Sequence, residues 1–319
     1  MSVEQVAQAH YTAQQTLSRE TVEQAQTLWE QVEPAAVLAS WLAVLEAVVA
    51  LLSAGKLAAA ALAQPYLNAV SWQQGAPPRF DGTVNPPGFA QTASNGRSLP
   101  SLLMIPALRT MGLMARGADD VMALRSGLAS LTRIIDTEIA DTSRTADQVG
   151  ITANRHWVMC VRHVTLPACG RCIILAGRTF PYSTGFRRHP RCDCTMVPHR
   201  EGDDPPPSPS TLFEQMTPAE QERAFTVAGA EAIRLGSDPG QVVSARRGMQ
   251  TAAGGKRITT EGTTVRGVAG RRMGDFVKTR GERYRRSAKI RPTPEQILAD
   301  SAGDRDMAID LLRRYGYLT

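Results

Sequence analysis

Ala35–Ala54 reads AAVLASWLAVLEAVVALLSA, a run that carries a single charge, Glu46. A segment of that length and apolarity either crosses a bilayer or fills the centre of a helical domain. Glu46 sits near the middle, alanine and valine supply most of the residues, and neither flank carries a basic anchor. Mid-bilayer charge is costly and spans are bracketed by Lys and Arg, so the run is expected to be a buried helix with no membrane contact. The helix is expected to break near Gly55 and continue to about Leu67.

Helices flank this run on both sides. In residues 3–32, Val3, Val6, Ala7, His10, Ala13, Leu17, Val22 and Leu28 recur along one side of a helix. Residues 73–99, QQGAPPRFDGTVNPPGFAQTASNGRSL, are rich in Pro, Gly and Asn and read as a loop. A short apolar helix follows Pro100, from Leu102 to Met114. A longer amphipathic one runs from Asp119 to about Asp141 and turns Val121, Leu124, Leu128, Leu131, Ile134, Ile135 and Ile139 inward. These helices form an expected N-terminal domain over residues 1–150.

Composition agrees with a helical core. Apolar residues make up 43% of the 319, which is inconsistent with a disordered chain, and aromatics only 5%, which disfavours a β-sandwich. The start, MSVEQVAQAHYTAQQTLSRE, has no basic stretch leading into an apolar one, so folding in a cytosol is expected. In a reducing compartment an odd number of cysteines argues against a disulfide framework.

Beyond residue 150 the pattern changes. Arg155–Val164 has the look of a strand leading into a cysteine-rich module over residues 151–201. GDDPPPSPS at 202–210 begins a proline-stiffened linker, taken as residues 202–216. Thr217-Pro218-Ala219-Glu220 and Thr293-Pro294-Glu295-Gln296 are both helix starts, for helices at about 217–235 and 293–315, the latter broken near Gly303. The expected fold class is mainly α with a small α+β cysteine-rich module: a helical N-terminal domain, a zinc-knuckle-like centre and a basic C-terminal region over residues 217–319.

Charge is divided unevenly. Residues 1–150 sum to −4, whereas the whole chain carries +6. Residues 246–291 hold fourteen cations against Glu261, Asp275 and Glu282, and glycines interrupt them throughout. We read an extended arm or β-rich excursion suited to an anionic partner, such as double-stranded DNA or an acidic protein.

All five cysteines lie between residues 160 and 194. Cys169-Gly170-Arg171-Cys172 and His189-Pro190-Arg191-Cys192-Asp193-Cys194 are two short groups of soft ligands. A Cys-x-x-Cys turn lets both thiolates reach one ion, and a closed tetrahedral site is structural rather than catalytic. The candidates are Cys169, Cys172, His189, Cys192 and Cys194, with Cys169, Cys172, Cys192 and either Cys194 or His189 as the preferred zinc set. Reduced packed thiols and redox use remain alternatives, although no βαβ pattern surrounds the Cys-x-x-Cys. Cys160 and His163, three apart on a strand, face opposite sides and make a poor nucleophile and base. His156, His163 and His199 could serve as bases, but no Gly-x-Ser-x-Gly elbow or phosphate-cradling loop accompanies them, and the catalytic residues stay unassigned.

The string CGRCIILAGRTFPYSTGFRRHPRCDCTMVP, Cys169–Pro198, resembles the signature of the phage Mu-F-like head morphogenesis proteins, the minor capsid proteins of tailed bacteriophages. Cys169, Cys172, Leu175, Gly177, Arg178, Phe180, His189, Pro190, Cys192 and Cys194 carry it. The C-terminal segments SARRGM, TTEGTTVRG and LLRRYGYL look like those of actinophage head proteins, some of which are described as capsid maturation proteases. The resemblance implies a low-copy head protein. Its expected partners are the portal protein and the major capsid or scaffold protein, with packaged DNA near its basic segment. Its expected place is the capsid interior or portal vertex of the virion, after assembly in the host cytoplasm. It leaves open whether the chain is an assembly protein or a maturation protease.

Overall fold

Ser2 opens the first helix with a reciprocal cap: its hydroxyl accepts the Gln5 N–H, and the Gln5 side chain accepts the Ser2 N–H. The computed structural model describes residues 1–186, 194–200, 202–203 and 206–318. The chain forms two units, Met1–Thr165 with Arg178–Pro205, and Leu166–Gly177 with Pro206–Thr319.

In the first unit, α1 (Val3–Trp29) is followed by a 3₁₀ turn (Pro34–Ala36), α2 (Val37–Ala61) and α3 (Ala63–Gln73). Three shorter or longer steps complete the bundle: α4 (Pro87–Ala90), α5 (Leu99–Leu103) with α6 (Ile105–Met114), and α7 (Asp120–Thr152). Val37, Trp41, Val44, Val48, Leu52 and Ala59 recur along one side of α2 and bury it among α1, α5, α6 and α7. Each large apolar side chain fully removed from water there contributes about 1.5–3 kcal/mol. The Trp41 indole N–H is satisfied by the Leu103 carbonyl at 3.1 Å. By length and composition Pro34–Gln73 could cross a membrane. In the fold it comprises the 3₁₀ turn, α2 and α3, and the expectation of a buried run is met on one side only: 28% of its most apolar window is buried, Leu38, Leu42 and Leu57 are exposed, and Lys56 is buried against Glu138 of α7.

Four expectations are corrected here. Gly55 does not break α2. A side chain at that position would come within 2.6 Å of Ile139 Cδ1 and 3.1 Å of Thr21 Oγ1, so glycine is needed for close helix packing. The apolar stretch after Pro100 is two helices, because Pro100 and Pro106 each sit in a first turn, where a missing N–H costs nothing. Asp119 caps α7 as its position suggests, accepting the Met122 N–H at 2.9 Å, but the helix continues to Thr152. Its last turns bury Thr142, Ser143, Ala146, Asp147 and Gly150, small or polar residues that leave no apolar period to read. Val121, expected inward, is exposed.

The first unit ends in a three-stranded antiparallel sheet ordered β2 (Thr179–Pro181), β1 (Met159–Val164), β3 (Cys194–His199). Cys160 stands opposite Phe180 on one side and Pro198 on the other, and Val164 stands opposite Cys194. Tyr66, Leu67, Trp157, Cys160, Phe186 and Met196 form a second core beneath it.

The second unit begins with α8 (Gly170–Ile173) and resumes with α9 (Pro209–Gln215), α10 (Pro218–Phe225), α11 (Val227–Arg234) and α12 (Pro239–Arg247). The basic segment then folds as β4 (Met249–Thr251), β5 (Arg257–Thr259), α13 (Val268–Met273), β6 (Phe276–Val277), β7 (Arg286–Ser287) and β8 (Arg291–Pro292). Two helices close the chain, α14 (Pro294–Asp300) and α15 (Arg305–Arg314). Strands pair antiparallel as β4-β5-β8 and β6-β7.

The chain is therefore mainly helical with small antiparallel sheets, but its divisions differ from those expected. Residues 151–201 are shared between the two units, because β1, β2 and β3 pair with each other while Leu166–Gly177 joins the C-terminal elements. The linker contains a helix, α9, capped by Ser208 with Pro209 in the first turn. The helix expected over 217–235 is two, parted at Thr226, whose φ of +70° no α-helix admits.

Candidate functional site

The Cys-x-x-Cys turn lies in the second unit and is built around Cys169, the residue before α8. Its carbonyl accepts the N–H groups of Cys172 (2.9 Å) and Ile173 (3.1 Å), folding the intervening residues back on themselves. Gly170 makes the packing possible, since a side chain there would meet the Ala224 carbonyl at 2.8 Å and press on Phe225 and Val243. Cys172 is fully buried and Cys169 half-buried. Their sulfurs are 3.6 Å apart. That is too long for a disulfide, whose bond is about 2.05 Å. It matches an edge of a zinc–thiolate tetrahedron, about 3.8 Å for Zn–S of about 2.3 Å.

Cys194 is half-buried at the start of β3 in the first unit. His189 and Cys192 lie outside the described residues. Among the described residues no group of three His, Cys, Asp or Glu side chains gathers as a metal site. Among the described residues the structure brings together the Cys169–Cys172 pair, with the sulfurs at thiol–thiol hydrogen-bond distance, a spacing shared by packed reduced thiols and by two ligands of one ion.

Cys160 belongs to the sheet core, and burial pushes its thiol up to about 11, so it is protonated and chemically quiet at neutral pH. His163, on the same strand, has its pKa lowered by burial, with Glu4 acting in the opposite sense. His199 lies 3.8 Å from Asp203, and His156 is exposed. Among the described residues none of these three histidines receives a hydrogen bond from a serine or cysteine.

Two buried charge clusters in the first unit escaped the sequence. His10 Nε2 lies 3.0 and 3.1 Å from the Asp147 carboxylate oxygens and 2.6 Å from Gln14 Nε2, and its ring stacks on Tyr66 at 4.0 Å. Burial, then Asp147 and Cys160, raise the Tyr66 hydroxyl well above its ordinary pKa, and it donates to the Met196 carbonyl at 2.9 Å. His10 and Asp147 are only 3% and 2% exposed at the side chain, so a protein substrate has no path to them. Lys56 donates to Glu138 and to Thr142, both at 2.7 Å, and Ser94 donates to the same carboxylate through N–H and hydroxyl. The signal available for either cluster was a charged residue in an otherwise apolar helical stripe.

The basic segment is a folded surface with one buried member. Arg291 is 1% exposed: Nε donates to the Tyr315 carbonyl (3.0 Å), one terminal nitrogen to the Glu261 carbonyl (2.7 Å), and the guanidinium lies 4.0 Å from the Tyr317 ring. Burial lowers its pKa, opposed by Tyr317 and Glu261, and burial raises that of Tyr317. Arg246, Lys256, Arg257, Arg271, Arg272, Arg280, Arg283 and Arg285 are exposed and make no ion pair among the described residues.

The family model described as VG15 protein matches residues 1–219. No curated protein and no solved structure shows significant similarity to the chain.

Proposed function

The chain belongs to the VG15 protein family, which points to a viral gene product, and on that premise we propose that it is a minor capsid, head morphogenesis protein of a tailed bacteriophage. One observation carries this reading: the matched residues 1–219 contain the whole Cys169–Cys194 signature, with its first cysteine pair held at a tetrahedral-edge separation. On this reading the protein acts in procapsid assembly at or near the portal, beside the major capsid or scaffold protein, and stays in the capsid interior or portal vertex. The basic surface of residues 246–291 faces packaged double-stranded DNA, where phosphate contacts supply affinity without sequence readout.

A zinc ion would serve structure rather than turnover. Cys169 and Cys172 would supply two thiolates, and the sequence offers His189, Cys192 and Cys194 for the remaining positions. The binding free energy of an ion held by such a set would add to folding.

Mass spectrometry of purified virions, with metal analysis of the recombinant chain, tests both parts. The expected result is a low-copy head component with one zinc per chain, and a Cys169→Ser, Cys172→Ser variant that loses zinc and melts earlier. A chain absent from virions overturns the head assignment; a zinc-free chain whose double variant melts like wild type overturns the metal. Coexpression with the major capsid protein addresses the maturation-protease alternative, which requires specific cleavage that one Ser, Cys or His substitution abolishes.

A further inference from the structure

The fourteen cations of residues 246–291 are not equivalent in the fold. Arg291 is buried, and Lys289 donates to the Met273 carbonyl at 2.7 Å. Arg286 holds Glu282 through two contacts, 2.8 and 2.9 Å, and donates to the Thr260 carbonyl at 2.9 Å. Lys278 donates to the carbonyls of Glu282 and Arg283, closing the loop between β6 and β7. These four secure the structure.

At the tip of the β6–β7 hairpin the balance is reversed. Glu282, its one carboxylate, is already neutralised by Arg286, which leaves Arg280, Arg283 and Arg285 exposed without a carboxylate partner among the described residues. Arg266 and Arg283 both lie over the Tyr284 ring, at 4.6 and 5.3 Å, and Arg266 donates to the Tyr284 hydroxyl at 3.0 Å. The half-buried ring thus gathers two exposed like charges, an arrangement relieved when an anion sits between them. The hairpin is also fixed beforehand, since the Val265 N–H donates to the Arg285 carbonyl (3.0 Å) and the Ser287 N–H to the Thr263 carbonyl (2.9 Å).

We propose that this hairpin, Phe276–Ser287, is the element of the protein that grips the phosphate backbone of duplex nucleic acid; the proposal rests on the DNA reading given above. The chemistry favours phosphate over bases. Guanidinium forks match phosphate oxygens, whereas a base-stacking platform needs an open aromatic face, and guanidinia already cover Tyr284.

The test uses the full chain, a mixed-sequence duplex of about 24 base pairs, the corresponding single strand and polyglutamate, with Kd followed against NaCl. Replacing Arg280, Arg283 and Arg285 by alanine is expected to weaken duplex binding about ten- to a hundredfold near 0.1 M salt and to reduce the logarithmic salt slope by about 2–3. The loss should be equal on unrelated sequences, and the matching triple lysine variant should keep the slope. The triple Arg246→Ala, Lys256→Ala, Arg257→Ala, at the end of α12 and the start of β5, should change binding less than about threefold. Thermal unfolding of each variant separates lost binding from lost fold. If the second triple takes the loss while the hairpin triple binds like wild type, the hairpin assignment falls and the DNA reading stands. If the wild-type chain binds no duplex, the DNA reading itself falls. Tighter binding of the single strand, or hairpin-dependent binding of polyglutamate alone, would also overturn the proposal.

Discussion

The helical bundle of the first unit pairs its buried charges side chain to side chain, as in Lys56–Glu138, whereas the second unit seats Arg291 on backbone carbonyls, the Gln241 side-chain oxygen and an aromatic ring. Backbone supply accounts for the difference. Inside a helical bundle nearly every carbonyl is committed to the i→i−4 ladder, so a buried cation needs a side-chain anion. Where short strands and turns meet, carbonyls such as Glu261 and Tyr315 remain free to accept, and one guanidinium can tie three chain segments together. The first arrangement depends on a matched pair, the second on a single residue.

The two units can be followed separately because Trp29, Trp41, Trp72 and Trp157, all the tryptophans of the chain, lie in the first. Glu138→Ala should have the largest effect, about 3–5 kcal/mol, because it strands the Lys56 ammonium in the core. Denaturant unfolding followed by tryptophan fluorescence should show it, and the double variant Lys56→Met, Glu138→Leu should recover most of the loss. Failure to recover would mean that Ser94 and Thr142, not the partner charge, set the cost.

Arg291→Ala should remove roughly 2–4 kcal/mol from the second unit, through stranded carbonyls and a cavity. Its signature is a far-UV circular dichroism transition that moves while the fluorescence midpoint stays in place. A shift in the fluorescence midpoint as well would break the comparison, since the second unit's anchor would then be supporting the first.

Glycines sharpen the contrast at smaller scale. At Gly127 in α7 an added Cβ would lie 2.1 Å from Thr110 Oγ1 and 2.5 Å from the Trp29 ring, so the residue is there for space. At Gly254 in the second unit nothing is near, but φ is +80°, so it is there for angle. Gly127→Ala should cost about 1–2 kcal/mol after its gain in helix propensity, and Gly254→Ala about 1 kcal/mol, both read from thermal melts.

The smallest effect is expected at the Thr217 cap, the counterpart in the second unit of the Ser2 cap in the first. The Glu220 carboxyl accepts the backbone N–H and hydroxyl of Thr217, and these bonds hold it below the ordinary 4.5. Its contribution is therefore present above that value and lost as pH falls through the lower folded-state value. Melting temperatures of Glu220→Ala and wild type should differ at neutral pH and converge in acid, whereas the Thr217→Ala difference should shrink but persist, because the Thr217 hydroxyl accepts the Glu220 N–H at any pH. A Glu220→Ala difference that does not change with pH would remove the carboxylate from the cap.

Local signals were legible in the sequence where one residue type has one physical use. Asp119 and Thr217 cap the helices they precede, and the α2 stripe fills a core as its composition requires. Legibility ended where one type has several uses. Gly55 reads as a breaker but supplies space, and Pro209 reads as linker but opens a helix. Nothing in the composition of residues 246–291 singles out Arg291 as the buried cation. The cysteine spacing identified the Cys169–Cys172 pair, because Cys-x-x-Cys geometry is local. The assignment of Leu166–Gly177 to the C-terminal unit was beyond reach, since it depends on contacts with Phe225 and Val243, far along the chain.

That excursion gives the molecule an unusual connectivity. The polypeptide passes from one unit to the other three times, after Thr165, after Gly177 and after Pro205. A single nick in the proline-rich stretch would therefore release neither half as an intact body: the N-terminal fragment would carry off Cys169 and Cys172, and the C-terminal fragment would lose the knuckle that Phe225 and Val243 pack against. The same holds for a chain ended at residue 219, which keeps the two thiols but not the residues that seat Gly170. The stretch shared with the family is thus shorter than the smallest piece expected to fold around its own signature.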